Sequence, residues 1–335
     1  MSFKLVKYKE PDFSQSQFTD APDAVTAPAP KDKVAPEHYH ATTIFPEYFK
    51  VKGQWLLAEE SRMDCVAVYE NGKIYVREFR NLKQGDLVFT GRTENCEDGI
   101  FVYPHGFDEG EGGHDEAFAF RQRRSRETAF SKDYDNIYEL LRHEREHGYV
   151  VWVMGPACAF DSDSREAFSK LVMNGYVDAL LAGNALATHD LEGAYLNTAL
   201  GQNIYTQYSQ PNGHYNHIDT NNRVKFHGSA FVEKEGIDNG IIYSCVKKDV
   251  PFVLVGSIRD DGPLPEVYAN VYEGQDAMRD CVRKATTVIC MATTLHSIAT
   301  GNMTPSFRVM PDGTIRQVYF YSVDVSEFAV NKLGD

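Results

Sequence analysis

Between residues 149 and 324 short apolar runs alternate with amphipathic stretches, and this alternation limits the possible folds more than any other feature of the chain. The apolar runs are YVVWVMGPA (149–157), VDALLAGNA (177–185), PFVLVGS (251–257), TTVICMAT (286–293) and QVYFYSVD (317–324). Between and after them lie SREAFSKLVMNGY, HDLEGAYLNTAL, NGIIYSCVKKD, QDAMRDCVRKA, LHSIATGN and SEFAVNKL, all with helical patterning. Near-continuous apolar strands separated by helices predict an α/β fold, with a parallel sheet covered by helices on both faces. A polar excursion at 201–235 interrupts the pattern and is expected to arch over the sheet as a loop.

The first part of the chain reads differently. Residues 1–36 are polar and proline-bearing (APDAVTAPAPKDKVAP) and predict an extended arm on the surface. Residues 37–125 predict a small β-rich domain of barrel or sandwich type, its strands lying between 37 and 105. Alternating runs meet at Asn71-Gly72, a strong hairpin signal. The segment 107–127 reads as a linker whose basic run, Arg121 to Arg126, is a solvated face. IYELLRHEREHG (137–148) reads as a helix capped by Gly148.

Composition narrows the function classes. The 335 residues are 42% hydrophobic and 24% charged, which suits a globular protein with a core, and the length favours two domains. A formal charge of −14 repels nucleic acid and acidic membranes. No apolar run approaches the ~20 residues of a membrane helix, and the start MSFKLVKYKE lacks the apolar block of a secretory signal. None of the six cysteines makes a CxxC pair, and four lie in apolar runs. They read as reduced, buried thiols of a cytoplasmic protein rather than as zinc ligands.

In open α/β sheets ligands bind beyond the carboxyl ends of the strands. Those ends are Gly155-Pro156-Ala157, Gly183-Asn184-Ala185, Gly256 to Gly262, Ala292 to His296, and Val323-Asp324. Small residues admit a ligand to the backbone, and the helix after each strand offers N–H groups that favour phosphate, so the rim suits a nucleotide. None of the turns is GxGxxG, and no GxSxG, HExxH or P-loop occurs. Asp324 is placed either to accept hydrogen bonds from ribose hydroxyls or to cap a helix. His296 is placed either to meet a nicotinamide or phosphate, or simply to start a helix. Of Asp260 and Asp261, one can serve as a base or bind a substrate amine while the other caps the turn. Asp190 reads as an N-cap or a catalytic acid. His214 and His217 have HxxH spacing, but no acidic partner stands at a recognisable spacing, so no metal is expected. Arg223 or Arg259 is a candidate clamp for a carboxylate.

The strings AGNALATHDLEGAYLNTALG, VLVGSIRDDGPLPEV, ATTLHSIATGN and APAPKDKVAPEHYHATT resemble the archaeal-type ornithine cyclodeaminase family. That family is similar to the C-terminal module of the cyanobacterial arginine dihydrolase/ornithine cyclodeaminase, and has also been labelled an LOR/SDH conserved region. The resemblance covers about residues 20–335. It implies a Rossmann-like NAD-binding catalytic domain over 126–335, akin to that of deoxyhypusine synthase. It also implies conversion of ornithine to proline and ammonia with NAD recycled in the site, and a homo-oligomer, dimer or tetramer. Lysine cyclodeamination, an amino-acid dehydrogenase and a catalytically idle NAD-binding module are the alternatives. By motif, the implied NAD contacts are Asn184 and Ala185 in GNALA, Asp261 in RDDG, Thr293, Thr294, Leu295 and His296 in ATTLHS, and Asp324 in SVD. Asp260 and Asp190 are the candidates for proton transfer. Compared with the family, an N-terminal α/β segment is expected to be missing, the chain stops early at NKLGD, and RVMPDGTIRQ adds a hairpin tipped by Asp312-Gly313.

Overall fold

The computed structural model describes residues 4–107, 130–260 and 262–324, the side chains of 130–134 and 229 excepted. They form two compact units: 4–107 with 302–319 make a β unit, and the other described residues an α/β unit. The linker from residue 108, the basic run Arg121 to Arg126 and the helix expected over SEFAVNKL lie outside the described residues.

In the β unit the proline-bearing arm folds into a single helical turn, α1 (Ser16–Thr19), and a strand, β1 (Val25–Pro28). β1 forms the edge of a four-stranded sheet of order β1-β6-β4-β5, with β4 (Val66–Glu70), β5 (Lys73–Arg77) and β6 (Leu87–Thr90). A proline suits an edge strand because it has no N–H to donate. A second sheet has β2 (Glu47–Val51) between β3 (Gln54–Leu57) and β7 (Ile100–Val102). The expected hairpin turns at Asn71 and Gly72, with φ of 52° and 83°. Two consecutive left-handed residues match the twist of the paired strands. Phe49, Phe89, Ile74 and Ile100 fill the core of this unit. The Asp312-Gly313 hairpin is also present, as β14 (Phe307–Val309) and β15 (Ile315–Gln317). Thr314 N donates to Asp312 Oδ1 at 3.0 Å to close the turn. Ser306 N donates to Ser61 Oγ at 2.9 Å and ties the hairpin into the β unit.

The α/β unit runs α2 (Phe130–His147), β8 (Val150–Met154), α3 (Ser162–Met173), β9 (Ala179–Gly183) and α4 (Asn184–Leu196). A small hairpin, β10 (Thr198–Ala199) with β11 (Gln202–Asn203), leads to α5 (Asn216–His227), α6 (Phe231–Lys234) and α7 (Ile241–Lys247). Then follow β12 (Phe252–Val255), α8 (Val271–Val282), β13 (Thr287–Met291), α9 (Thr294–Met303) and β16 (Tyr319–Val323). All five expected strands join one sheet of order β12-β9-β8-β13-β16, and β12, β9, β8 and β13 pair in parallel. Trp152, Leu180, Leu186, Ile241 and Leu254 pack into its core.

Three local expectations are revised. The helix expected to open at His189-Asp190 begins at Asn184, because Gly183 is extended and directly precedes the first turn. The polar excursion is a short hairpin followed by helices rather than an arching loop. Gly148 follows α2 without a left-handed φ. Its reason is space: a Cβ there would lie 2.0 Å from Glu144 Oε2 and 2.6 Å from Thr286 Oγ1.

Candidate active site

Taken in chain order, the five strands lie 3-2-1-4-5 across the sheet. The direction of winding therefore reverses between β8 and β13, and a crevice opens beyond the carboxyl ends of that pair. Gly155 on one side and Ala292 with Thr293 on the other form its floor. Gly155 N donates to Met291 O at 2.9 Å. A Cβ on Gly155 would lie 1.8 Å from the Ala292 carbonyl oxygen and 3.1 Å from Thr293 Cβ. Only glycine permits this backbone approach. Ala292 takes a left-handed φ of 53° as it turns out of β13 into α9, and its N–H donates to Val323 O at 3.1 Å. This bond brings Asp324, the next residue after Val323, to the same rim.

Several of the sequence-predicted cofactor residues stand at the strand ends around this crevice. Asn184 and Ala185 form the first turn of α4, whose N-terminus has no side-chain cap. Its amide N–H groups are therefore left for a ligand. Asn184 is buried, and its Oδ1 accepts from Leu264 N at 2.9 Å, fixing the segment that follows β12. Thr294 opens α9, Thr293 O accepts a hydrogen bond from Ser297 Oγ, and Leu295 is 80% exposed. The His296 imidazole reaches across to β9: its Cε1 lies 3.6 Å from where a Cβ on Gly183 would be. Burial lowers the His296 pKa, so the ring is neutral at neutral pH. Asp324 is partly buried at the end of β16. Asp261 lies outside the described residues.

The expected proton-transfer residues separate. Asp260 Oδ2 accepts from Ser257 N at 2.7 Å, so this carboxylate closes the turn after β12. The Asp190 side chain is fully buried, Oδ1 accepts from Arg165 Nε and Ile241 N at 2.9 Å each, and Oδ2 accepts from Ile242 N at 2.8 Å. It caps α7 and neutralises a buried guanidinium, a structural use beside the proton-transfer role read from sequence. Of the two candidate clamps, Arg223 lies 3.7 Å from Glu235, whereas the neighbours of Arg259 leave it exposed. Cys158, just past the end of β8, is buried, and burial pushes its thiol up to about 11. All six cysteines are free and buried.

Sequence reasoning missed Glu192, a fully buried carboxylate on α4. Burial alone would raise its pKa, but hydrogen bonds from His189, Thr198 and Gly201 outweigh that and hold it below the ordinary range. Asn221 on α5 was missed as well. Its Oδ1 accepts from Thr188 Oγ1 at 3.2 Å, and its Nδ2 donates to Gly262 O at 3.4 Å. The HxxH spacing of His214 and His217 brings no metal-ligand set together among the described residues.

Three features fit a dinucleotide. Glycines stand at the ends of three adjacent strands (Gly155, Gly183 and Gly256), α4 has an uncapped N-terminus, and an acidic residue ends the last strand. These are the features that admit a pyrophosphate and hold a ribose. Comparison with known proteins agrees. The family model described as "Arginine dihydrolase ArgZ-like, C-terminal, Rossmann fold" matches residues 135–335. The ornithine cyclodeaminase of Methanocaldococcus jannaschii is 37% identical over 319 residues, covering 92% of this chain and 71% of that protein. A crystal structure of an LOR/SDH protein from Methanococcus maripaludis S2 superposes with a TM-score of 0.81 at 34% identity, covering 93% of this chain and 90% of that one. The ternary complex of AgrE with ornithine and NAD+ superposes with a TM-score of 0.56 at 32% identity, covering 94% of this chain and 42% of that one.

Proposed function

The chain belongs to the ornithine cyclodeaminase family that also supplies the C-terminal part of ArgZ-like arginine dihydrolases, and on that premise we propose that it converts L-ornithine to L-proline and ammonia. One observation carries the reading. The motifs GNALA, ATTLHS and SVD stand at the carboxyl ends of β9, β13 and β16, in the sheet whose strand order reverses, and this supports the reading. NAD bound there would supply a reversible hydride acceptor.

The chain's own residues supply binding and orientation. The first-turn amides of α4 would hold the pyrophosphate, and Asp324 would accept hydrogen bonds from a ribose. Neutral His296 offers a hydrogen-bonding ring without placing a positive charge beside an oxidised nicotinamide. Thr293, Thr294 and Leu295 form the wall on the β13 side, and the RDDG motif assigns Asp261 to the cofactor as well. Asp260 retains an oxygen with which to hold a substrate amine, and Arg259 is available for the carboxylate. Closing the site against water protects an unsaturated carbon–nitrogen bond from hydrolysis.

No helix among the described residues is long and apolar enough to cross a membrane. Buried, free thiols suit the reducing cytoplasm, where we place this enzyme as a homo-oligomer. The test is to incubate the purified chain with ornithine and NAD+ and to assay proline, ammonia and NADH together. Cyclodeamination yields proline and ammonia in equal amounts without net NADH. Accumulating NADH would mean a dehydrogenase, turnover of lysine instead would move the substrate class, and NAD binding without turnover would mean a regulatory module.

A further inference from the structure

We propose that His189, oriented by Glu192, is the base that takes the proton from the side-chain ammonium of the diamino-acid substrate. The inference rests on the cyclodeaminase reading and adds a residue to it. His189 and Glu192 lie three residues apart on α4, so they share one face of the helix. His189 Nδ1 is 3.0 Å from Glu192 Oε2. The same carboxylate accepts from Thr198 Oγ1 at 2.7 Å and from the N–H groups of Leu200 and Gly201 at 3.2 Å each. Every neighbour of Glu192 donates, and these bonds hold it ionised. An ionised carboxylate only accepts, so Nδ1 of His189 carries the proton. In the neutral ring Nε2 is then left with a bare lone pair.

That lone pair has no internal donor: Nε2 of His189 makes no hydrogen bond to any described residue. Around the ring stand Phe160, edge-on at 5.5 Å, and His217 of α5, at 6.1 Å between centroids. Nδ1 of His217 is also buried without a partner. The buried His217 nitrogen is costly unless something supplies its hydrogen bond, whereas Nε2 of His189 is not closed off from solvent and is open to an incoming donor. The place adjoins the crevice. Phe160 follows the turn at the end of β8, α4 starts at the end of β9, and Thr188, beside His189, is linked through Asn221 to Gly262 beyond β12. An alkylammonium group provides both the missing donor and a positive charge suited to the buried carboxylate.

The proton inventory closes. An N–H bond of the ammonium breaks, its electron pair stays on nitrogen, and Nε2–H forms. The freed amine adds to the imine carbon, its lone pair forming the new C–N bond as the C=N π pair moves onto the α-nitrogen, and the ring nitrogen gives its extra proton to water. The imidazolium faces ionised Glu192, then gives its proton to the α-nitrogen; the old C–N bond breaks toward that nitrogen as the ring nitrogen's pair forms the new C=N bond, and ammonia leaves. The arrangement is that of a positioned acid–base histidine with an orienting carboxylate.

The test is His189→Asn, because the Asn Nδ2 keeps a donor to Glu192 while Nε2 is lost. The variant should melt with the wild type, bind NAD equally, and lose at least ~100-fold in kcat with the KM for ornithine changed only a few-fold. A kcat within threefold of the wild type would overturn the assignment. Should the variant misfold, ¹⁵N NMR of the wild-type histidines provides a second measurement. His189 should be the Nδ1–H tautomer, and its Nε2 resonance should move when ornithine is added to the NAD-bound protein. An Nε2–H tautomer, or a ring indifferent to ornithine, counts against the proposal. A wild type that makes no proline while ornithine still perturbs His189 would sink the reaction but keep the amine subsite. Proline formation unaffected by His189→Asn would do the reverse.

Discussion

Arg165 and Asp190 are both almost wholly buried, 5% and 0% exposed at the side chain, and each is the reason the other is tolerated there. Removing one partner leaves an uncompensated buried charge. Asp190→Ala should therefore cost about 3–5 kcal/mol, read from urea unfolding. A loss of turnover in the folded variant without loss of stability would restore a catalytic role. Nothing in THDLEG signals this structural use. The amides that Asp190 caps belong to Ile241 and Ile242, 51 and 52 residues later, and side-chain chemistry alone is the same for a cap and an acid. Asp324 ends an apolar run at the edge where ligands of such sheets bind, and its role as a cofactor contact is a prediction. Asp324→Ala should weaken NAD binding by about 1.5–3 kcal/mol, the loss of charge-assisted hydrogen bonds. Titration with NAD and NADP should also show that the wild type prefers NAD, since a carboxylate repels the 2′-phosphate. Unchanged affinity with a lower melting point would reduce Asp324 to a helix cap.

Among the elements, those with local chemistry were readable and those defined by distant partners were not. Asn71-Gly72 and Asp312-Gly313 set their hairpins through backbone conformations that few other residues adopt. The start of α4 was hidden because GNA reads equally as the end of a strand. The helices of the polar excursion were hidden by the weak apolar face of α5. Strand order is not written in any segment, so the pairing of β8 with β13 that makes the crevice came only from the fold. That pairing depends on Gly155: Gly155→Ala places its methyl against backbone, which cannot rotate away. The substitution should cost at least ~1–3 kcal/mol by denaturant unfolding and lower NAD affinity with it. Glu192 gives an element-scale pH dependence. Its folded pKa is depressed, so its contribution is present above the unfolded value and is lost as pH falls through the folded one. Hydrogen exchange at Leu200 and Gly201 should accelerate in acid, and Glu192→Gln should remove that dependence.

At the scale of the molecule, the comparison of α/β and β units separates what composition could say from what it could not. The apolar share announced a core, while the two-unit path of the chain depended on long-range contacts. A cofactor that binds only the folded chain stabilises all of it. NAD at 100 times its dissociation constant should add about 2.7 kcal/mol, visible as a rise in Tm. The buried thiols make the complementary prediction. Burial pushes Cys158 up to about 11 and both Cys245 and Cys290 up to about 12, so none is a thiolate at neutral pH. A thiol reagent at pH 7.5 should modify the cysteines only as fast as the protein opens. Cys158→Ser should leave turnover intact.

The hairpin of β14 and β15 belongs to the β unit, yet lies between α9 and β16 of the other. During synthesis on the ribosome, the β unit must wait until residues 302–319 emerge, long after residue 107, and the parallel sheet waits for β16 after them. Neither unit is a contiguous stretch that an expression boundary near residue 126 can release whole. A fragment ending there lacks the hairpin that Ser61 holds, and the remainder carries that hairpin without its mate. Coexpressed halves, by contrast, contain every described strand of both units and should complement one another.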